Sequence, residues 1–286
     1  MSDGSSIVNI GELSKPATVL VEKICNAVGI VYEPTRIKRR ARAEAEAEKI
    51  KTVAGFELRE IEQRAIERLV HQEARKQENI ESITAQATIA LPDSAKVEQL
   101  EEDWLAHFFK QCDTVSDKEM QSLWARLLLG EATSPGTFSK RTVDFISTID
   151  KKDAALFTAF CKFVWVVGEP NPLIYEIDNA IYKTHGITFA SLKHLDAIGL
   201  ISFESVSGYA RTGFPKHAHA FYYGLPTAIE FPTDADNQMD IGHALFTSIG
   251  RELVAISGSQ RSEEFYEYVI KKWGQNGWIL SSIRPS

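Results

Sequence analysis

"SDKEMQSLWARLLLGEATSPGTFSKRT", residues 116–142, sets the architecture of the middle of the chain. Ser116 followed by Glu119 is a capping box: a hydroxyl at a helix start is answered by a carboxylate three residues on. It opens the helix "MQSLWARLLLGEA". Gly130 and "SPG" (134–136) mark the end of that helix and a turn. Ser139 then caps a second helix carrying Val143 and Ile146, with Phe138 as its apolar staple.

The helical pattern extends on both sides. Upstream, "VEQLEEDWLAHFFKQC" (97–112) places Leu100, Trp104, Phe108 and Cys112 on one face. Downstream, "DKKD" (150–153) caps a helix that carries Leu156, Phe157, Phe160 and Phe163. Residues 94–165 therefore read as a compact antiparallel bundle with an aromatic core. The domain runs over 91–168, from the hinge "LPDSAK" (91–96) to Gly168.

Toward the N-terminus, Ser14 and Pro16 start an apolar helix that runs to about Gly29, within a first segment of 1–33. Residues 34–90 form a long charged helical arm. Its helix starts at Pro34 and runs to about Ile83, with Gly55 as its weak point; unbroken, it is about 75 Å long at 1.5 Å per residue. Ile50, Ala54, Leu58, Ile61, Ala65 and Leu69 make a narrow stripe among charges of both signs. A helix of this kind cannot bury itself alone, so the stripe predicts a homo-oligomer.

After Gly168 the composition changes. "GEPNP" (168–172) reads as a loop. "ITFASLKHLDAIGLISFE" (187–204) reads as helix, glycine turn and strand, "HAFYYGL" (219–225) as a second strand, and "FTSIGRELVAI" (246–256) as a helix with Phe246, Ile249 and Leu253 on one side. The tail "SEEFYEYVIKKWGQNGWIL" (262–280) adds a helix and a last strand. The phrases "LKHLDAIGLIS" and "FTSIGRELVAI" resemble the pattern of bacterial winged-helix domains. The expected fold is thus mainly α: a long N-terminal helical arm, a central helical bundle and, over 169–286, a C-terminal winged-helix-like α+β domain.

Bulk composition fits an ordinary globular chain. It has 286 residues, 44% hydrophobic and 25% charged, with a net charge of -7. That charge argues against wholesale coating of nucleic acid but leaves room for a local basic face. Cys25, Cys112 and Cys161 are scattered and odd in number, so neither a disulfide framework nor a zinc knuckle is indicated, and a reducing cytoplasm fits best. The N-terminus shows no signal-peptide pattern. "PATVLVEKICNAVGIVY" (16–32) is interrupted by Glu22, Lys23 and Asn26 and is too polar to cross a membrane.

Several longer stretches together carry a family resemblance: "EPTRIKRRARAEAEAE" (33–48), "ARKQENIE" (74–81), "EEDWLAHFF" (101–109), "VSDKEMQSLWARLLLGE" (115–131) and "SPGTFSKRT" (134–142). With these the chain resembles the bacterial family of uncharacterised proteins DUF2806. The last two are more loosely similar to abortive-infection-type proteins, whose helical segment ends in a like turn. The resemblance implies a helical domain and a role in defence or stress, and no reaction.

No GxSxG, Walker loop, GxGxxG before a helix or HExxH occurs, so no enzyme, cofactor or metal is expected. His217 and His219 alternate on a strand and point the same way, but no third ligand stands nearby; they read first as solvated. Glu101, Glu102 and Asp103 read as the acidic first turn of a helix rather than as catalytic carboxylates. "SPGTFSKRT" reads first as helix termination and restart. Its functional reading is an anion or partner site where backbone N–H groups meet Lys140 and Arg141.

Arg36, Lys38, Arg39, Arg40 and Arg42 crowd the first turns of the arm, ahead of Glu44, Glu46 and Glu48. That order opposes the helix macrodipole. Three readings stay open. The cluster is a solvated face paired with Glu44 and Glu46; or, behind the apolar helix, it meets an anionic membrane surface as a peripheral attachment to the inner membrane; or it binds nucleic-acid phosphates beside the winged-helix-like domain. In the last case Lys193, His194, Arg211 and Lys216 are the phosphate contacts, although the helix "TFASLKHLDAIG" offers little to read base edges. The function expected is non-enzymatic interaction or regulation with a protein partner, ahead of a DNA-binding regulator and a membrane-surface defence effector.

Overall fold

The computed structural model describes residues 14–28 and 60–282. The chain divides into two compact units, Met1–Ser147 and Thr148–Ser286. Ten α-helices and nine strands lie among the described residues, so the fold is mixed α+β rather than mainly α.

The first unit is helical. Its elements are α1 (Lys15–Val28), α2 (Glu60–Ile89), a 3-10 turn (Val97–Gln99), α3 (Glu102–Cys112), α4 (Lys118–Thr133) and α5 (Lys140–Thr148). Ser14 starts α1 as expected, its Oγ accepting from Ala17 N at 3.4 Å. The apolar face of α1 then turns inward: Ala17, Leu20, Val21 and Ile24 are all buried, and Lys23 reaches over to donate to the Leu100 carbonyl at 2.8 Å. α2 stops at Ile89 because Leu91 precedes Pro92, and a residue before proline is driven out of the helical region.

The predicted face of α3 is the centre of the core. Leu100, Trp104, Phe108 and Cys112 are all buried. Trp104 stacks on Phe108 at 5.1 Å, and Phe108 meets Trp124 of α4 edge-on at 5.1 Å. Such aromatic pairs add to the burial of their area by about 0.5–1.5 kcal/mol each. Two local readings change. The cap of α4 is Asp117, not Ser116, and its carboxylate accepts from Glu119 N and Met120 N. Gly130 does not end α4, which runs on to Thr133. Instead Gly130 makes room for a ring, since a Cβ there would stand 2.6 Å from Phe138.

The second unit opens with α6 (Lys151–Cys161), so the helix of Phe157 and Phe160 leaves the bundle twenty residues before the expected boundary at 168. Both rings pack edge-on against Phe246 within the second unit. Asp150 holds the N-cap position of α6 without a side-chain cap bond. Strands β1 (Val164–Val167) and β2 (Glu169–Pro172) form a hairpin where "GEPNP" read as a loop. Then come α7 (Ala180–Lys183), α8 (Phe189–Ala197), β3 (Ile201–Phe203), β4 (Tyr209–Phe214), β5 (His217–Tyr222), β6 (Leu225–Glu230), β7 (Asn237–Gly242), β8 (Ala244–Phe246), α9 (Ser248–Val254), α10 (Glu263–Gln275) and β9 (Ile279–Ser282).

Five strands make one antiparallel sheet in the order β2-β1-β5-β6-β9. Trp165 of β1 stacks on Tyr222 at 5.1 Å and on Tyr266 of α10 at 5.5 Å, and meets Trp273 of α10 at 4.8 Å, so α10 covers that face. The strand expected at "HAFYYGL" exists as β5, but it belongs to this sheet. The partner of β3 is β8, with Ile201 opposite Phe246. Residues 204–243, carrying β4 to β7, are an excursion between those two short strands. α8 opens on a capping box between Thr188 and Ser191. Gly250 explains its own place in the pattern: α9 lies so close to the turn after α8 that a Cβ there would come within 2.0 Å of the Leu200 carbonyl oxygen.

Candidate interaction surfaces

Arg36, Lys38, Arg39, Arg40 and Arg42 lie outside the described residues, as do Glu44, Glu46 and the N-terminal part of the apolar stripe. The helix proposed to bring the basic cluster to lipid is described, however. Leu20 and Ile24, which lipid would need, are in the core of the first unit. No helix among the described residues is long and apolar enough to cross a membrane.

At "SPGTFSKRT" the backbone N–H groups do converge on an anion, but the anion is the chain's own. Glu131, on α4, is buried, and its carboxylate accepts from Gly136 N at 2.6 Å and from Phe138 N at 2.8 Å. Burial pushes this carboxyl above its usual range, against the lowering effect of the N–H groups it accepts. Trp104 Nε1 donates to the Phe138 carbonyl at 2.8 Å, which ties the loop to α3. Ser139 caps α5, accepting from Thr142 N at 3.3 Å. Lys140 and Arg141 are exposed on the first turn of α5. Glu131 carries no signal in the sequence, because a glutamate inside an apolar helix face looks like a solvated residue until the loop folds over it.

The four cations expected at phosphate in the second unit are engaged internally. Lys193 stands 3.7 Å from Asp196 and 5.2 Å above the Phe203 ring. His194 Nε2 lies 2.7 Å from Asp153 of α6. Arg211 donates to the Val167 carbonyl at 2.6 Å and pairs with Glu169 at 3.5 Å. Lys216 pairs with Asp234 at 3.3 Å. These contacts fasten α8 to α6 and β4 to the β1–β2 hairpin. The exposed surface of α8 also carries Phe189 and Ala190, neither of which can hydrogen-bond a base.

His217 and His219 both face solvent on β5. No group of three metal-ligating side chains occurs among the described residues. Cys112 and Cys161 are buried, and burial pushes both thiols well above their ordinary range, so neither is an activated nucleophile. A shallow groove of about 420 Å³ in the second unit is walled by Val164, Val166, Pro170, Tyr223 and Val254.

Among the described residues, the N-terminal half of α2 stands clear of the core. Residues 60–75 are all exposed except Ile66, which is half-buried. Ile61 is 67% and Leu69 57% exposed. The helix meets the bundle only from Lys76, which reaches Asp113 at 3.6 Å. Beyond it a polar seam locks α2 to α4. Gln121 donates to the Asn79 side-chain oxygen at 3.1 Å and to the Val115 carbonyl at 2.8 Å, and Asn79 donates to the Asp113 carbonyl at 2.8 Å. Buried amides satisfied in this way fix a helix register, because a slip would leave each of them unpaired.

Comparison with known proteins identifies the chain as a member of a family of proteins of unknown function, DUF2806, whose model matches residues 63–270. The match spans both compact units. No curated protein and no solved structure matches the chain. The looser likeness to abortive-infection-type proteins gains no support from these matches.

Proposed function

We propose that the chain is a non-enzymatic interaction protein that self-associates through its helical arm, of which residues 60–75 are the exposed stretch among those described. The observation that carries this reading is the exposed stripe on α2. Ile61, Ala65 and Leu69 repeat every four residues on a helix that no described part of the chain covers. An isolated helix of about 15 residues is marginal in water, and its stability normally comes from packing an apolar face. The sequence continues the stripe at Leu58, Ala54 and Ile50.

The block from α7 through α8 and β3, resumed at β8 and α9, we read as a winged-helix-like core whose wing is enlarged to residues 204–243. Its role on this reading is protein interaction, since the cations of α8 are held by the unit's own carboxylates. The same fold class serves both DNA and protein partners, so the site chemistry carries the choice. Lipid is a poor partner for α1, because its apolar side chains are in the core.

Light scattering on the full chain at micromolar concentration tests self-association. Truncation of the whole arm does not, because Ile80, Ile83 and Ala87 of α2 are core residues. The informative variant is Ile61→Glu with Leu69→Glu. An oligomer in the parent and a monomer with unchanged melting in the variant are expected. A monomeric parent ends the proposal.

A further inference from the structure

We infer that the arm pairs with a second copy of this chain in parallel orientation, both helices pointing the same way, and that the charges on its two shoulders select that orientation. This rests on the self-association proposed above and names its geometry.

The seam comes first. The apolar residues among those α2 buries in the first unit are Ile80, Ile83 and Ala87. Stepping back toward the N-terminus at three- and four-residue intervals gives Lys76, Gln72, Leu69, Ala65 and Ile61. The steps recur as three, four and four, a repeat of about 11 residues, which keeps one stripe on one side of a nearly straight helix. One seam therefore runs the length of α2. It is covered in the bundle and bare over residues 60–75.

The shoulders of the bare part differ in sign. At about 100° per residue, Arg64, Arg68, His71 and Arg75 fall along one side of the Ile61–Ala65–Leu69 stripe. Glu62, Ile66 and Glu73 fall along the other. All of these but Ile66 are exposed. When two identical helices pack stripe to stripe in parallel, the left shoulder of each faces the right shoulder of the other. Basic then meets acidic on both sides of the interface. When they pack antiparallel, each shoulder faces its own copy, and arginine meets arginine. In register, Arg64 and Glu62 of opposite copies lie about 3 Å apart along the axis, as do Arg75 and Glu73, well within reach of these long side chains. Parallel pairs of this kind set partner orientation in paired helices, and like-charge juxtaposition disfavours the alternative. Arg64 also reaches Glu60 at 3.5 Å and Glu73 reaches Lys76 at 3.0 Å, exposed pairs on the same helix that contacts across the seam would exchange for.

Single cysteines read the orientation. In a full-length Cys25→Ser background, where the remaining Cys112 and Cys161 are buried, Ile61→Cys and Leu69→Cys are made separately and oxidised at micromolar concentration. Positions 61 and 69 are about 12 Å apart along the helix, and a disulfide needs Cα atoms within about 7 Å. Parallel pairing predicts that each variant cross-links to itself and that a mixture yields no link between positions 61 and 69. Mixed links without self-links, in a chain that light scattering shows to be oligomeric, overturn the parallel orientation and leave self-association standing. A monomeric parent overturns both. A charge swap gives an independent reading. Arg64→Glu with Arg68→Glu and Arg75→Glu should lose self-association, and should regain it when mixed with Glu62→Arg, Glu73→Arg. Failure of the mixture to associate would show that the shoulders do not meet as inferred.

Discussion

Replacing Glu131 with alanine should unlock the 134–142 loop, and the structure allows the cost to be worked out. The carboxylate accepts from Gly136 N and Phe138 N. Phe138 is buried, and an orphaned buried donor costs about 1–3 kcal/mol. Gly136 is exposed, so water can take over there at little loss. One buried methylene adds about 0.8 kcal/mol. Against this stands the relief of removing a carboxylate whose charged form is disfavoured by burial. The net expectation is a loss of about 1–3 kcal/mol. For a unit of this size that lowers the midpoint of its thermal transition by roughly 3–12 °C. Scanning calorimetry reads the midpoint, and hydrogen exchange over residues 134–142 reads the loop itself. The pH dependence has a definite sign. The folded carboxyl sits above its unfolded value of about 4.5, so the folded state binds the proton more tightly, and this contribution to stability is lost as pH rises through the folded value. The difference between the parent and Glu131→Ala should therefore widen as pH falls from neutrality toward that lower bound. A midpoint change under about 2 °C, with the amides of residues 136–138 still protected, would refute the assignment of Glu131 as their acceptor.

Gly250→Ala should destabilise the second unit by about 1–3 kcal/mol, because the new methyl meets the Leu200 backbone and not a flexible side chain; an unchanged urea midpoint would mean that α9 is free to retreat. Leu20→Ser with Ile24→Ser should destabilise the first unit by at least about 3 kcal/mol, as core truncations do, while leaving flotation with anionic vesicles as it was in the parent. The reverse result, full stability with lost flotation, would place α1 on lipid. Asn79→Ala should cost about 2 kcal/mol by stripping Gln121 of a buried partner, and a double-mutant cycle with Gln121→Ala should show strong coupling between the two. Lys193→Ala with His194→Ala should not change binding to genomic DNA fragments at near-physiological salt, and a footprint lost on that change would make the protein a DNA reader.

What could be read from sequence alone followed the range of the interactions involved. Helix faces in the bundle were legible because burial repeats at three and four residues: Leu100, Trp104, Phe108 and Cys112 are all core. Caps were legible to within a residue, as Ser116 and Asp117 illustrate, because either side chain can serve and only packing decides. Strands were harder. β2 is "EPNP", with two prolines and no apolar alternation, and it becomes a strand because Gly168, at a φ of 73°, folds it back on β1. The pairing of β3 with β8 joins residues more than forty apart. No local pattern announces such a pairing, whereas β5 reads as a strand and is nearer. The aromatic spacing of α6 suits the bundle as well as the second unit, and spacing cannot say which neighbour an aromatic face meets.

The arm shows a different kind of limit. Its stripe, Ile50 to Leu69, was visible as a pattern, and so was the apolar content of residues 80–87, yet the two read as separate features. Gln72 and Lys76 interrupt the hydrophobic series between them. On the helix those two residues occupy the same line as Leu69 and Ile80, and Lys76 already touches the bundle through Asp113. A polar interruption in a seam marks where its covering changes. C-terminal to Lys76 the seam is covered by the unit itself and locked in register by Asn79 and Gln121. N-terminal to Gln72 it is bare, flanked by charges sorted by sign. A rigid, register-locked root under an uncovered seam presents the bare part at a fixed angle to the unit. That preorganisation lowers the ordering cost of association. On this argument, loosening the root through Asn79→Ala should weaken self-association even though Asn79 lies outside the proposed interface, and light scattering on that variant at several concentrations would detect it. Association as tight as in the parent would mean that the arm pairs independently of its root.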